Sequence, residues 1–213
     1  MQSKKVGVLG SGVVGQVLAA GFQKHGYDVM IGSREGNKLA EWSAKTGVPE
    51  GTMAQAAAHG DIVVLAVGGG VASDAIALVR DSLAGKVVID ATNPIGGAPE
   101  DGVIRFFTGP NESLMERLQA QAPEARFVKA FSCVGNAWMV NPNFPGGPPT
   151  MFICGNDGEA KATVTGILSA FGWDTADMGG VKSARAIEPL CQLWCLPGFL
   201  RNQWTHAFKL LKL

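Results

Sequence analysis

Gly10-Ser11-Gly12-Val13-Val14-Gly15 is the stretch that most limits what this chain folds into. A glycine pattern of this kind also arises by chance, so its flanks decide its meaning. Lys5-Val6-Gly7-Val8-Leu9 reads as a short apolar strand ending at the first glycine, and Val13 to Lys24 has helical patterning. In such a strand–turn–helix unit Gly10 permits the tight turn, Gly12 lets backbone N–H groups approach a pyrophosphate, and Gly15 lets helix and strand pack closely. Phosphates then sit at a helix N-terminus, where free N–H groups and the dipole favour anions. The unit predicts a dinucleotide site at the start of an α/β sheet; the plainer alternative is a glycine-rich turn with no ligand.

The next predicted strand, Tyr27 to Ile31, runs into Gly32-Ser33-Arg34. An NAD site usually has Asp or Glu near this point to bind the ribose 2′-hydroxyl. Here a hydroxyl and a guanidinium stand instead, and both suit a 2′-phosphate: Ser33 as a hydrogen-bond donor, Arg34 as a charge-assisted fork or a cation stacked on adenine. Lys38, four residues beyond Arg34, offers a third positive contact, and Glu35 is the one carboxylate beside them. These residues predict a preference for NADP(H); solvated surface charges on a turn are the alternative.

Strand and helix signals alternate onward from there. Helices are expected near Lys38 to Lys45, Val71 to Leu83 and, capped by Asn111, through Gln121. The alanine-rich Met53 to His59 lies between the first of these and the next strand. Asp61 to Val67 is a continuous apolar run, as expected of a parallel strand covered on both faces, and Lys86 to Asp90 and Ala125 to Ala130 are further strands. This rhythm predicts an α/β fold of the Rossmann type, a doubly wound parallel sheet, over residues 1–150. Phe131 to Pro149 reads as loop with one possible helical turn. Residues 151–213 form a smaller α/β and helical portion contributing to an acceptor site. In it, strands at Thr150 to Cys154 and Trp173 to Ala176 flank a helix at Gly158 to Phe171. Helical sequence capped by Ser183 then runs to the end, interrupted near Pro197-Gly198. Ligands in such sheets bind beyond the carboxyl ends of the strands, so Gly10 to Gly15, Val67 to Gly70, Asn93 to Gly97 and Phe131 to Asn136 should line the cleft.

The 18 basic and 18 acidic residues balance, and no basic stretch invites nucleic acid. No apolar run approaches the ~18–20 residues of a membrane span, and the start of the chain leads straight into a strand, so a cytoplasmic protein is expected. Cys133, Cys154, Cys191 and Cys195 make no Cys-x-x-Cys pair and have no histidine at metal-ligand spacing. They read as buried free thiols, and no metal site is expected.

Several stretches together resemble the coenzyme F420-dependent NADP oxidoreductase family. They are Gly32-Ser33-Arg34 with Lys38, Val128-Lys129-Ala130-Phe131, Cys154-Gly155-Asn156-Asp157, Ala184-Arg185-Ala186-Ile187-Glu188-Pro189-Leu190 and Ala207-Phe208-Lys209-Leu210-Leu211. The chain is also similar to the reductase domain of the STEAP metalloreductases. The resemblance implies a Rossmann domain, a small C-terminal helical portion, often a homodimer, and hydride transfer between NADP(H) and a deazaflavin, coenzyme F420. In the STEAP branch the partner is a flavin, FMN or FAD. It further implies 2′-phosphate contacts at Ser33, Arg34 and Lys38, a diphosphate loop at Ser11, Gly12, Val13 and Val14, and nicotinamide-side positions at Val67, Gly68, Ala130 and Phe131. Two stretches depart from the archaeal pattern. Gly68-Gly69-Gly70 stands where Pro and a bulky residue are usual, and Phe131 to Asn136 replaces a histidine-containing stretch.

A carbinol dehydrogenase needs a positioned acid or base, and the candidates are few. His25 and His59 each precede a glycine at an expected helix C-terminus and read as caps. His206, expected in the C-terminal helix, and Lys129, near a strand end, are the remaining candidates. A flavin-like acceptor relaxes the requirement, since its conjugated ring takes the hydride and spreads the charge. Trp138, Met139 and Phe144 are candidates to wall an acceptor site or to be core. Trp194, Phe199, Trp204 and Phe208 read as core or dimer interface. Reduction of an imine or 3-hydroxy-acid-type substrate, and a non-catalytic NADPH sensor, are the rival readings.

Overall fold

A computed structural model describes residues 4–212. Six parallel strands form the main sheet: β1 (Lys5–Leu9), β2 (Asp28–Ser33), β3 (Glu50–Thr52), β4 (Ile62–Leu65), β5 (Val87–Asp90) and β6 (Arg126–Lys129). Their order is β3-β2-β1-β4-β5-β6, the doubly wound Rossmann arrangement, whose order reverses between β1 and β4. The period-2 alternation of a strand sorts its side chains to two faces. Val64 and Ile89 face one apolar layer with Leu18, Ala19 and Phe22 of α1 (Val13–Lys24). Val63, Leu65 and Val88 face the other, with Ala56 of α3 (Met53–His59), Ile76 of α4 (Ala72–Val79) and Leu118 of α5 (Leu114–Gln121). Burial on both faces explains why these strands read as unbroken apolar runs.

Several boundaries differ from the sequence expectation. β2 extends through Ser33, so the residue expected on a turn is the buried last residue of a strand. β3 has three residues, one of them Gly51, too short to carry an alternation. Between β2 and β3 lies α2 (Ala40–Thr46), which starts after Lys38. Asn111 does not cap α5: Ser113 does, through a capping box with Glu116, so the helix begins two residues later.

A second, two-stranded parallel sheet pairs β7 (Thr150–Ile153) with β8 (Asp174–Asp177), bridged by α6 (Gly158–Ala170). It joins the main sheet where the Lys129 N–H donates to the Cys154 carbonyl at 2.9 Å. α7 (Ala184–Ile187) and α8 (Leu190–Arg201) follow. Ser183 lies in a 3-10 turn and makes no side-chain cap; its hydroxyl donates to the Met178 carbonyl.

The C-terminal region corrects the expectation most. α8 runs unbroken through Pro197 and Gly198, then ends at Asn202, whose φ of 52° is left-handed. Gly198 carries no break because its role is steric: a Cβ there would lie 2.3 Å from the Trp204 ring that folds back on the helix. From 202 to 212 the chain is irregular. His206 is therefore not helical; its ring stacks on Trp194 and donates from Nε2 to the Trp194 carbonyl. The tail then covers the free edge of β7, where the Thr150 N–H donates to the Phe208 carbonyl and the Leu210 N–H donates to Thr150 Oγ1. Covering an exposed edge this way removes a template for unwanted pairing.

Candidate active site

The β1–α1 turn is built as its glycines predict. Gly10 has φ of 128°, and a Cβ there would lie 2.3 Å from the Ala66 carbonyl oxygen. A Cβ on Gly15 would lie 2.0 Å from the Gly10 carbonyl oxygen, so α1 packs directly on the turn. Gly12 is different: a Cβ there would meet nothing within 4 Å. It caps α1 with extended backbone and no side-chain hydrogen bond. The helix start is thus left open, with its first N–H groups unclaimed by any side chain.

That opening lies in a groove of about 290 Å³ along the carboxyl ends of β2, β1 and β4. Gly10, Ser11 and Gly12 line its middle, Ser33, Arg34 and Lys38 line the β2 end, and Val67 and Gly68 line the β4 side. The Gly36 N–H donates to Ser33 Oγ at 2.9 Å, which orients the hydroxyl and leaves its proton free to donate. Two carboxylates, Glu35 and Asp74, share the groove with the two cations. Val13 and Val14 start α1 beside the groove without lining it, and Gly15 is buried beneath it.

The remaining wall is the face of α4 that carries Asp74, Ala75 and Leu78, together with Val71 just before it. Their three-to-four-residue spacing marks one helix face, but nothing in the glycine or β2 motifs points to it as a groove wall. Gly69 to Val71 make a tight 3-10 turn, and a Cβ on Gly69 would lie 2.0 Å from the Asn93 carbonyl oxygen.

Asn93, Ala130 and Phe131 do not line this groove. Asn93 follows β5 and donates from Nδ2 to the Ser132 carbonyl at 2.8 Å. Ala130 is fully buried. Phe131 turns the chain sharply with φ of 62°, and its ring packs toward Phe171 in the core.

Lys129 is not a solvated strand end. It is completely buried, with Nζ 2.7 Å from Asp90 Oδ2, 3.0 Å from Glu188 Oε1 and 2.9 Å from the Thr92 carbonyl. Burial pushes its pKa down, but Asp90 and Glu188 more than offset this and hold it above the ordinary lysine value. Glu188 also accepts the Leu114 and Met115 N–H groups at the start of α5. Two stretches singled out by resemblance, around Lys129 and around Glu188, therefore meet in one closed ion cluster. His206 lies on Trp194, also outside the groove. His25 and His59 sit at the C-termini of α1 and α3 as expected, bonded to Asn141 and Asp28. Met139 is core, Trp138 packs on Phe144, and Phe199 and Trp204 are partly exposed around α8. All four cysteines are free thiols, and no group of three metal-ligating side chains occurs among the described residues. Burial pushes the Cys133 and Cys154 thiols up to about 12, which leaves them unreactive near neutral pH. No helix among the described residues is long and apolar enough to cross a membrane.

Residues 5–94, from β1 to just past β5, match the family model described as NADP oxidoreductase, coenzyme F420-dependent. The F420-dependent NADP reductase of Methanocaldococcus jannaschii is 28% identical over 202 residues, covering 89% of this chain and 90% of that protein. The chain is similar to this family's named reductases along most of its length. The likeness supports NADP-dependent oxidoreduction and is not confined to the stretch that the family model matches. A solved structure from Arthrobacter sp. FB24, named as a candidate F420-dependent NADP-reductase, superposes with a TM-score of 0.90 at 29% identity, covering 99% of this chain and all of that one. Metalloreductase STEAP3 of Rattus norvegicus is 30% identical over 203 residues. Those residues are 93% of this chain, but the match spans only 39% of the rat protein's length.

Proposed function

We propose that this oxidoreductase uses NADPH to pass a hydride to a deazaflavin of the coenzyme F420 type or to a flavin, FMN or FAD. One observation carries the reading: the groove joins an open helix start at Gly12 to a β2 end furnished with Ser33, Arg34 and Lys38. Gly10 to Gly15 take the diphosphate, and the hydroxyl and two cations take the 2′-phosphate. Val67 and Gly68, which line the groove, attend the nicotinamide half. When bound, the nucleotide supplies hydride from its nicotinamide ring. The chain's own task is to hold the ring against an acceptor and keep water away.

A flavin-type acceptor is favoured over an imine or hydroxy acid by the state of the two candidate proton donors. Lys129 is locked between two carboxylates, and His206 is committed to Trp194. The names of the archaeal relatives favour the deazaflavin. We take residues 1–150 as the nucleotide domain and 151–213 as the acceptor-side portion. The exposed Leu193, Phe199 and Leu200 of α8 fit a homodimer contact, and four unpaired thiols fit a reducing, cytoplasmic compartment.

The test is NADPH oxidation with coenzyme F420, FMN and FAD side by side. Turnover with the deazaflavin alone fixes the acceptor class, and turnover with flavins alone moves the chain to the flavin branch. NADPH binding without oxidation by any of the three overturns the proposal in favour of another small substrate or a sensor.

A further inference from the structure

The loop that follows β6 is strained at one end and braced at the other. Phe131 has φ of 62°, in the left-handed region that a bulky residue avoids. Its N–H donates to the Met151 thioether, a weak acceptor, at 3.1 Å. A residue in such a conformation persists only where its surroundings over-determine it. The Phe131 ring is fixed in the core beside Phe171. Four residues on, half-buried Gly135 lies against the indole of Trp194: a Cβ on Gly135 would stand 2.5 Å from that ring. The loop between them lies beyond the carboxyl end of a sheet strand, the side on which ligands of such sheets bind.

Trp194 is not held by its helix alone. Pro197 has no N–H to give the Leu193 carbonyl, so α8 lacks a rung beside Trp194. The C-terminal tail supplies the missing hold. Trp194 Nε1 donates to the His206 carbonyl at 2.9 Å, His206 Nε2 donates to the Trp194 carbonyl at 2.8 Å, and the two rings stack with centroids 4.9 Å apart. Trp204 closes over Gly198 on one side of this pair, and Phe208 and Leu210 tie the tail to Thr150 on the other. Between these ties the tail is a strap. Clefts of about 610 and 490 Å³ open on its two sides, and His206 lines both. Its grip on Trp194 therefore rests on His206 and not on broad packing.

We propose that the C-terminal strap, acting through His206 and Trp194, clamps the loop after β6 and so fixes the wall that the hydride acceptor meets. His206 and Trp194 are positioning residues, and neither lines the nucleotide groove. The effect on the acceptor rests on the function proposed above; the clamp itself does not.

His206→Leu and His206→Gln test it by hydrogen exchange, NADPH titration and turnover with coenzyme F420, FMN and FAD. The leucine variant loses both the donor and the stacked ring, whereas the glutamine variant keeps a donor. His206→Leu should speed amide exchange over residues 131–139 about tenfold, the effect of one lost buried hydrogen bond. It should lower kcat by a similar factor and leave NADPH affinity unchanged. His206→Gln should recover most of both losses. Faster exchange confined to 202–212, with 131–139 at the wild-type rate, would overturn the clamp and leave the tail as a cover for β7. A loss of NADPH affinity as large as the loss of kcat would overturn the positioning role, because the whole sheet end would have loosened. If wild type reduces none of the three acceptors, the proposed function fails, and the exchange comparison still decides the clamp. If His206→Leu does not fold, Gly135→Ala probes the same contact from the loop. Its Cβ pushes on Trp194, so exchange should rise in the tail, and a tail at the wild-type rate would refute the clamp.

Discussion

The groove at the ends of β2 and β1 and the cluster at the ends of β5 and β6 handle charge in opposite ways. In the groove, the cations Arg34 and Lys38 and the start of α1 face solvent, and no side chain caps the helix. In the cluster, Lys129, Asp90 and Glu188 are all buried, and Glu188 itself caps the start of α5. The two helix starts carry the same partial positive charge. One is neutralised from within by Glu188, and the other is left for an anion from outside. The comparison separates a structural ion cluster from a binding site without reference to which residues resemble a family's motif, since both regions contain such residues.

Breaking the closed cluster should give the largest effect. Lys129→Met leaves two buried carboxylates unpaired, which costs about 3–5 kcal/mol. Thermal unfolding should fall by roughly 10 °C for a chain of this size. A variant that melts within a degree or two of wild type would show that the cluster is not closed, and would return Lys129 to the list of proton donors. Gly12→Val tests the open region in the opposite sense. Its Cβ enters empty space, so the melting temperature should hold, yet it obstructs the helix start, and NADPH affinity should fall about a hundredfold (~2.7 kcal/mol). Gly15→Ala is the mirror case: its Cβ strikes the Gly10 carbonyl, so stability itself should drop.

The open region was far more legible in the sequence than the closed one. Gly10, Gly12 and Gly15 are local, and their roles follow from spacing between a strand and a helix. Ser33, Arg34 and Lys38 lie at the end of the next strand and could be read the same way. The cluster is non-local: Asp90, Lys129 and Glu188 are far apart along the chain, and nothing in periodicity says that a lysine at a strand end turns inward. Its partners were invisible, so Lys129 stood as a possible acid. His206 was misplaced for a related reason. The apolar residues after Pro197 have helical spacing, but they pack back on Trp194 and along β7 instead of continuing the helix, and that contact is tertiary. The α4 wall of the groove was readable from Val71, Asp74, Ala75 and Leu78, but only once the helix was known to flank the site.

Arg34→Ala sharpens the open side further. Arg34 is exposed, so its contact with a 2′-phosphate is screened, and the loss should be about tenfold in NADPH affinity with NADH unchanged. The difference should shrink in high salt. Unchanged NADPH affinity, or equal affinity of the wild type for both nucleotides, would remove the basis for NADP selectivity at this end of the groove.

The smallest expected effect lies at the rim of the closed region, where Glu116 completes the α5 capping box and accepts two hydrogen bonds from Arg185. The Arg185 guanidinium, against an opposing desolvation by burial and with help from Ser113, holds the Glu116 carboxyl down at about 2. Its pKa is thus lower folded than unfolded, so its contribution is fully present above about pH 4.5 and is lost as pH falls from there toward 2. Arg185 is solvent-exposed, so screening keeps that contribution small. Glu116→Gln should therefore make the acid limb of the stability curve shallower between pH 4.5 and 2, as followed by urea unfolding at stepped pH. NADPH affinity at neutral pH should not change. Equal acid limbs in variant and wild type would mean that the pair is solvated and adds nothing to acid stability.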